Sequence, residues 1–217
     1  MVVERTEEQI KNDNDVRLRR AEAWRNRAEQ VDKTGKGDSA VRFVFWWIAF
    51  EALYKKRTEQ TPGEMYGFVC NIIKKGDRNF VGKTLYANRK TGKEIVRLPQ
   101  THDGCWVNRL KDTEPNGEER RAYKDKKDWA KTFEREKYSN EPLKGLEILF
   151  NRLRVVRNQI FHGANSQNDS QGLIQTEKGA ELLGVFVPYF IKVVKENPEF
   201  DWGEVPFPNN KGIPAWE

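Results

Sequence analysis

The sequence predicts an all-α protein, and three observations point there. Only 37% of its 217 residues are apolar and 33% are charged, so a core requires the apolar residues to be concentrated. They are, in a few segments where they recur at spacings of three and four, the period of a helix rather than a strand. One of these, VRFVFWWIAFEALY at 41–54, carries two apolar stripes at once, which marks a helix packed on two sides at the centre of a bundle. The length suits a single domain over 1–217, with an insertion at 76–140 between core helices and a C-terminal tail at 197–217.

Residues 5–31 read as a charged helix with a weak stripe of Ile10, Val16, Leu18, Ala21 and Ala23. The loop KTGKGDSA at 33–40 interrupts it, with Gly35 and Gly37 as breaks and Asp38 or Ser39 as the next cap. In the helix at 39–57, Val41, Val44, Phe45, Ile48 and Ala52 form one stripe, and Phe43, Trp47, Phe50 and Tyr54 the other. Glu51 sits among them, and a carboxylate there needs a partner. It either pairs with Lys55 one turn on or faces a site and orients a cation. A short helix follows at 63–75. TLYANRKTGKEIVRL at 84–98 reads as a β-hairpin, two β-prone runs around a Lys-Thr-Gly turn. Pro99, Gly104, Pro115 and Gly117 mark 99–118 as loop, and 118–138 is a very charged helix. Its Tyr123, Trp129 and Phe133 either stack on bases or dock the helix on the core. Pro142 opens the next core helix, which runs to about residue 162. The last core helix, 176–196, contains Pro188, expected to kink it. Pro198, Pro206, Pro208 and Pro214 make the tail extended, with Trp202 and Trp216 as anchors.

Charge is unevenly placed. Residues 74–137 hold 18 Lys+Arg against 11 Asp+Glu, while the remainder is close to neutral, so the whole net charge of +6 resides there. Such clustering is the footprint of a polyanion binder, and equally of a solubilising insertion. Arg120, Arg121, Lys124, Lys126 and Lys127 are the candidate RNA contacts. Two distant cysteines, Cys70 and Cys105, form neither a zinc motif nor a disulfide framework. The acidic, polar start is no signal peptide. The longest apolar run, FVFWWIAF, is far short of the roughly 20 residues that span a bilayer. A cytoplasmic protein without a membrane partner is expected. The only histidines, His102 and His162, lack an acidic ligand motif, so no metal or other cofactor is expected. His102, in HDGCW, reads as a surface residue, and Cys105 beside it lacks an orienting third group.

The stretch RNQIFHG at 157–163 ends the core helix that starts at Pro142. On a helical wheel Leu146, Leu149, Leu153, Val156 and Ile160 form the core stripe, and Ile148, Val155 and His162 a narrower seam flanked by Asn151 and Asn158. That seam reads as a self-association surface. Arg157 and His162 lie about 140° apart around the axis and about 7.5 Å apart along it, so they do not share a face. Either the arginine wraps the helix end, or a second chain brings its own pair to the same cleft. Gly163 fits a helix stop, and a protonated histidine in the last turn gains from the helix dipole. Histidine, which trades protons near neutrality, could act as base and acid while a guanidinium holds a phosphate, the set needed to cleave RNA by 2′-hydroxyl attack. The plain alternative is a chance pair in which the histidine merely caps the helix.

RNQIFHG resembles the R-x4-6-H signature of the HEPN superfamily (higher eukaryotes and prokaryotes nucleotide-binding domains), including the polar Asn158 after the arginine and the trailing His162-Gly163. WWIAFEALYKK is similar to the aromatic-rich helix that precedes this signature in the Apea-like HEPN branch. The resemblance covers 38–75 and 141–196, and neither the insertion nor the tail. It implies a four-to-five-helix bundle that dimerises about the signature helices. The implied activity is metal-independent endoribonuclease, in a toxin or phage-defence effector, or else a catalytically silent RNA- or nucleotide-binding or protein-interaction module. Carried over, Arg157 and His162 are catalytic, Asn158 supports them, and Glu51 is a further supporting residue. The implied partners are RNA such as tRNA, a second copy of the chain, and an antitoxin or other defence-system protein.

Overall fold

The computed structural model describes residues 5–31, 38–57, 63–97, 141–161 and 170–206. Every regular element among them is an α-helix: α1 (Glu7–Gln30), α2 (Asp38–Tyr54), α3 (Gly63–Lys75), α4 (Arg78–Ala87), α5 (Arg89–Arg97), α6 (Pro142–Phe161) and α7 (Ser170–Glu196). The expected all-α class holds.

Helix α1 opens with a reciprocal capping box. The Thr6 hydroxyl accepts from the Gln9 amide at 3.2 Å, and the Gln9 side chain accepts from the Thr6 amide at 2.9 Å, closing two donors a helix start leaves open. Helix α2 is the centre. It packs along α1 on one side and α7 on the other, as its two stripes require. The aromatic stripe is the more deeply buried, with Phe43, Trp47 and Phe50 fully covered, while Val41 of the other stripe stays exposed. Phe50 joins the layers, its ring centroid 6.1 Å from Phe68 of α3, 4.5 Å from Phe150 of α6 and 5.9 Å from Phe190 of α7. Burying such a ring contributes on the order of 2–3 kcal/mol. Phe43 lies so close to Gly179 of α7 that an added Cβ would sit 2.6 Å from its ring. Glycine there sets the approach of the two helices.

The β-hairpin expected at 84–98 is not formed. Residues 84–97 belong to α4 and α5, joined at Asn88. Asp77 caps α4 by accepting from the amides of Asn79 and Phe80 at 2.8 and 3.0 Å. The misread feature is Thr91-Gly92, which resembles a turn but lies inside α5. The apolar residues Val81 with Leu85, and Ile95 with Val96, are the buried ones. Together with buried Gly92, they follow a helical period rather than alternation. Val81, Leu85 and Ile95 join the main hydrophobic core, so α4 and α5 pack on α6 and α7, with Arg78, Lys83, Arg89 and Lys90 exposed.

Helix α6 begins at Pro142 as expected, and Leu146, Leu149, Leu153 and Val156 are fully buried. Ile148 and Val155, expected to line a self-association seam, are also buried within the single chain, so that seam is not an open surface along its length. Helix α7 starts at Ser170 rather than 176. Thr176 bonds back to the carbonyls of Gly172 and Leu173 at 3.1 and 3.0 Å and meets Ser39 of α2 at 2.9 Å. Pro188 lies inside α7.

The segment after α7 is held by a polar face of α1. Asn14 donates to the carbonyls of Pro198 and Phe200 at 2.8 and 2.9 Å, and Arg20 to that of Pro206 at 2.6 Å. Arg5 pairs with both Asp13 and Asp201. Trp202 is the expected anchor, nearly buried against Phe68 and Phe200. Gly203 takes a positive φ of 99°, which favours glycine. The anchor expected at Trp216, the helix at 118–138, and His102 and Cys105 lie outside the described residues.

Candidate functional site

The site is assembled where the C-terminal halves of α2 and α6 meet. Arg157, four residues before the end of α6, extends to Glu51 of α2, with Nη2 3.6 Å from Oε1. Its Nη1 donates to the Asn158 side-chain oxygen at 3.1 Å. The guanidinium also lies over the Phe161 ring, 4.5 Å from its centroid. A carboxylate, an amide and an aromatic face thus fix a cation that remains 29% accessible.

The choice open for Glu51 is resolved by this geometry. Lys55 does not need Glu51, because its Nζ reaches the buried Glu64 of α3 at 3.7 Å. Glu51 orients Arg157 instead. It is itself held by Tyr54, whose hydroxyl donates to Oε1 at 3.4 Å. Burial, and then the neighbouring Glu51 carboxylate, push the Tyr54 phenol well above its ordinary value, so it remains a donor over the whole neutral range. The chain of contacts runs Tyr54 to Glu51 to Arg157 to Asn158, from the aromatic core out to the surface.

Three of the four expected site residues, Glu51, Arg157 and Asn158, are therefore brought together. His162 lies outside the described residues, as do Arg120, Arg121, Lys124, Lys126 and Lys127. Sequence reasoning missed Tyr54 and Phe161. Both carried a signal. Tyr54 is three residues after Glu51, and Phe161 four after Arg157, the spacings that place side chains on one helical face. Tyr54 was absorbed into the aromatic stripe, where its ring belongs and its hydroxyl does not.

Chemically, the cluster can bind an anion. Two of the five N–H donors of the guanidinium face Glu51 and Asn158, and the forked group matches a phosphate. Among the described residues no group of three or more His, Cys, Asp or Glu could hold a metal, and no helix is long and apolar enough to cross a membrane. No family model matches the sequence, and no curated protein or solved structure matches it either.

Proposed function

We propose that this chain is a metal-independent endoribonuclease of the HEPN type, acting as a homodimer and serving as a toxin or phage-defence effector. The observation that carries the reading is the accessible Arg157 guanidinium, oriented by Glu51 and Asn158, five residues before His162 on the same strand of sequence. In the proposed reaction the ribose 2′-oxygen attacks the adjacent phosphorus and the bond from phosphorus to the 5′-oxygen breaks. His162 takes the 2′-hydroxyl proton as base, and an imidazolium returns a proton to the leaving 5′-oxygen. Arg157 stabilises the charge on the phosphoryl oxygens, and Asn158 and Glu51 keep its fork in place. A two-fold pairing would pool two histidines and two arginines. With Ile148 and Val155 already covered, the second chain would meet the first around the exposed Phe161 end of α6 rather than along the whole helix. An antitoxin or other defence-system protein would restrain the activity.

The same ion pair favours a second reading. An arginine already satisfied by a carboxylate and an amide can be purely structural, giving a catalytically silent RNA- or nucleotide-binding or protein-interaction module. The two separate in one assay. Purified protein is incubated with tRNA and mixed RNA in EDTA. The nuclease reading predicts cleavage that falls about 100-fold or more in His162→Ala and in Arg157→Ala. Equal cleavage by the wild type and His162→Ala rules out the catalytic assignment, and binding without turnover establishes the silent module.

A further inference from the structure

The two helices that replace the expected hairpin create a surface the site does not use. Residues 74–97 hold eight lysines and arginines against only Asp77 and Glu94. The Asp77 carboxylate accepts from the amides that open α4. The inner faces of α4 and α5 are fixed by packing on α6 and α7, and Lys83, Arg89 and Lys90 are exposed. Lys83 and Tyr86, at i and i+3, share the exposed side of α4. Arg89 continues it at the start of α5, donating to the Tyr86 carbonyl at 3.0 Å and laying its guanidinium 4.3 Å from the Tyr86 ring centroid. Lys90 follows it, exposed.

We propose that this α4–α5 surface binds single-stranded RNA, with Lys83, Arg89 and Lys90 on the phosphates and the Tyr86–Arg89 stack as a platform for a base. The choice of RNA among polyanions rests on the ribonuclease reading; the choice of a single strand rests on the surface itself. Tyr86 is 49% exposed with a guanidinium over its ring, and both groups stack on unpaired bases. A membrane surface would call for exposed aliphatic side chains beside the cations. Here the other exposed aromatic, Phe80, is instead stacked on Tyr189 of α7 at 4.5 Å. The helices that carry this surface pack against α6, the helix carrying Arg157.

The test is binding of a fluorescently labelled single-stranded 16-mer in a salt series, read by anisotropy, with an all-2′-deoxy strand so that no 2′-hydroxyl attack occurs. Wild-type affinity should fall linearly with the logarithm of salt. Lys83→Gln with Lys90→Gln should make that slope shallower by about 1.4, at about 0.7 per lost phosphate contact on a single strand. Tyr86→Ala should weaken binding about five-fold or more at every salt concentration. Lys11→Gln, at an exposed cation of α1, should leave the slope shared with the wild type. Variants that bind as the wild type does, with an unchanged slope, overturn the proposal, as does a wild type that ignores the strand yet binds anionic vesicles. Cleavage of the matching ribo-strand is scored separately. Intact binding without cleavage defeats the nuclease reading alone, and cleavage with binding unaffected by the double variant defeats the surface alone.

Discussion

Replacing Arg17 by methionine should cost the protein about 3–5 kcal/mol. Arg17 lies on α1 and is fully buried. Its Nη1 donates to the carbonyls of Leu53 and Lys55, the latter at 3.2 Å, and its Nη2 to that of Gly203 at 2.8 Å. The last four carbonyls of a helix lack intrahelical donors, and Leu53 is one of them in α2. The guanidinium thus closes that end with a positive charge where the helix dipole is negative, and pins the chain after α7 to the same point. Burial pulls its pKa down to about 10, with Asp13 opposing the shift, so it is charged at neutrality. Methionine preserves the apolar stem and removes the donors. Three carbonyls then lose a partner at about 1–3 kcal/mol each, offset in part because a buried cation no longer has to be desolvated. In a chain of this length the net loss lowers Tm by roughly 10 °C. Urea unfolding followed by circular dichroism should show a lower midpoint with an unchanged slope. A variant within about 1 kcal/mol of the wild type would refute the idea that Arg17 holds α2 and the C-terminal segment together.

Tyr54 makes stability sensitive to alkali. Its phenol is raised in the fold by burial and by Glu51, so the folded state keeps a proton the unfolded chain loses near pH 10. Its contribution is therefore complete below about pH 10 and lost as pH rises further, and urea midpoints from pH 8 to 11 should decline less steeply in Tyr54→Phe. Tyr189, raised chiefly by burial, acts in the same direction and should keep part of the decline in that variant. Gly179→Ala places a Cβ 2.6 Å from the Phe43 ring and should cost about 1–3 kcal/mol by thermal unfolding; an unchanged Tm would show that α7 can shift freely. Glu51→Gln should change stability by less than about 1 kcal/mol, since the pair with Arg157 is partly solvated. On the nuclease reading it should lower cleavage up to about 100-fold by releasing the guanidinium, and unimpaired turnover would remove Glu51 from the site.

The parts legible in the sequence were those written in one helical period. The Phe43–Trp47–Phe50–Tyr54 stripe, the start of α6 at Pro142 and its Leu146–Leu149–Leu153–Val156 face all lie where spacing places them. Thr91-Gly92 misled because a dipeptide suited to a turn outweighed the three- and four-residue spacing around it. The polar residues Asp13, Asn14 and Arg17 were invisible as interior residues. On a weakly apolar helix they read as surface, while the end of α2 and the returning chain at 198–206 meet Arg17, and that chain meets Asn14. The Glu51–Arg157 pair joins helices far apart in sequence, for which local spacing offered only Lys55. Asn158 follows the arginine of the signature, while Phe161 is an apolar residue whose role under the Arg157 guanidinium shows only in the i, i+4 contact.

The most direct test of the central claim is the identity of the RNA ends made in EDTA, determined by mass spectrometry with wild type and Arg157→Ala in parallel. The account predicts 2′,3′-cyclic phosphate and 5′-hydroxyl ends from the wild type and almost none from the variant. Products with 5′-phosphate and 3′-hydroxyl ends, or the same yield of cyclic ends from Arg157→Ala, would contradict it.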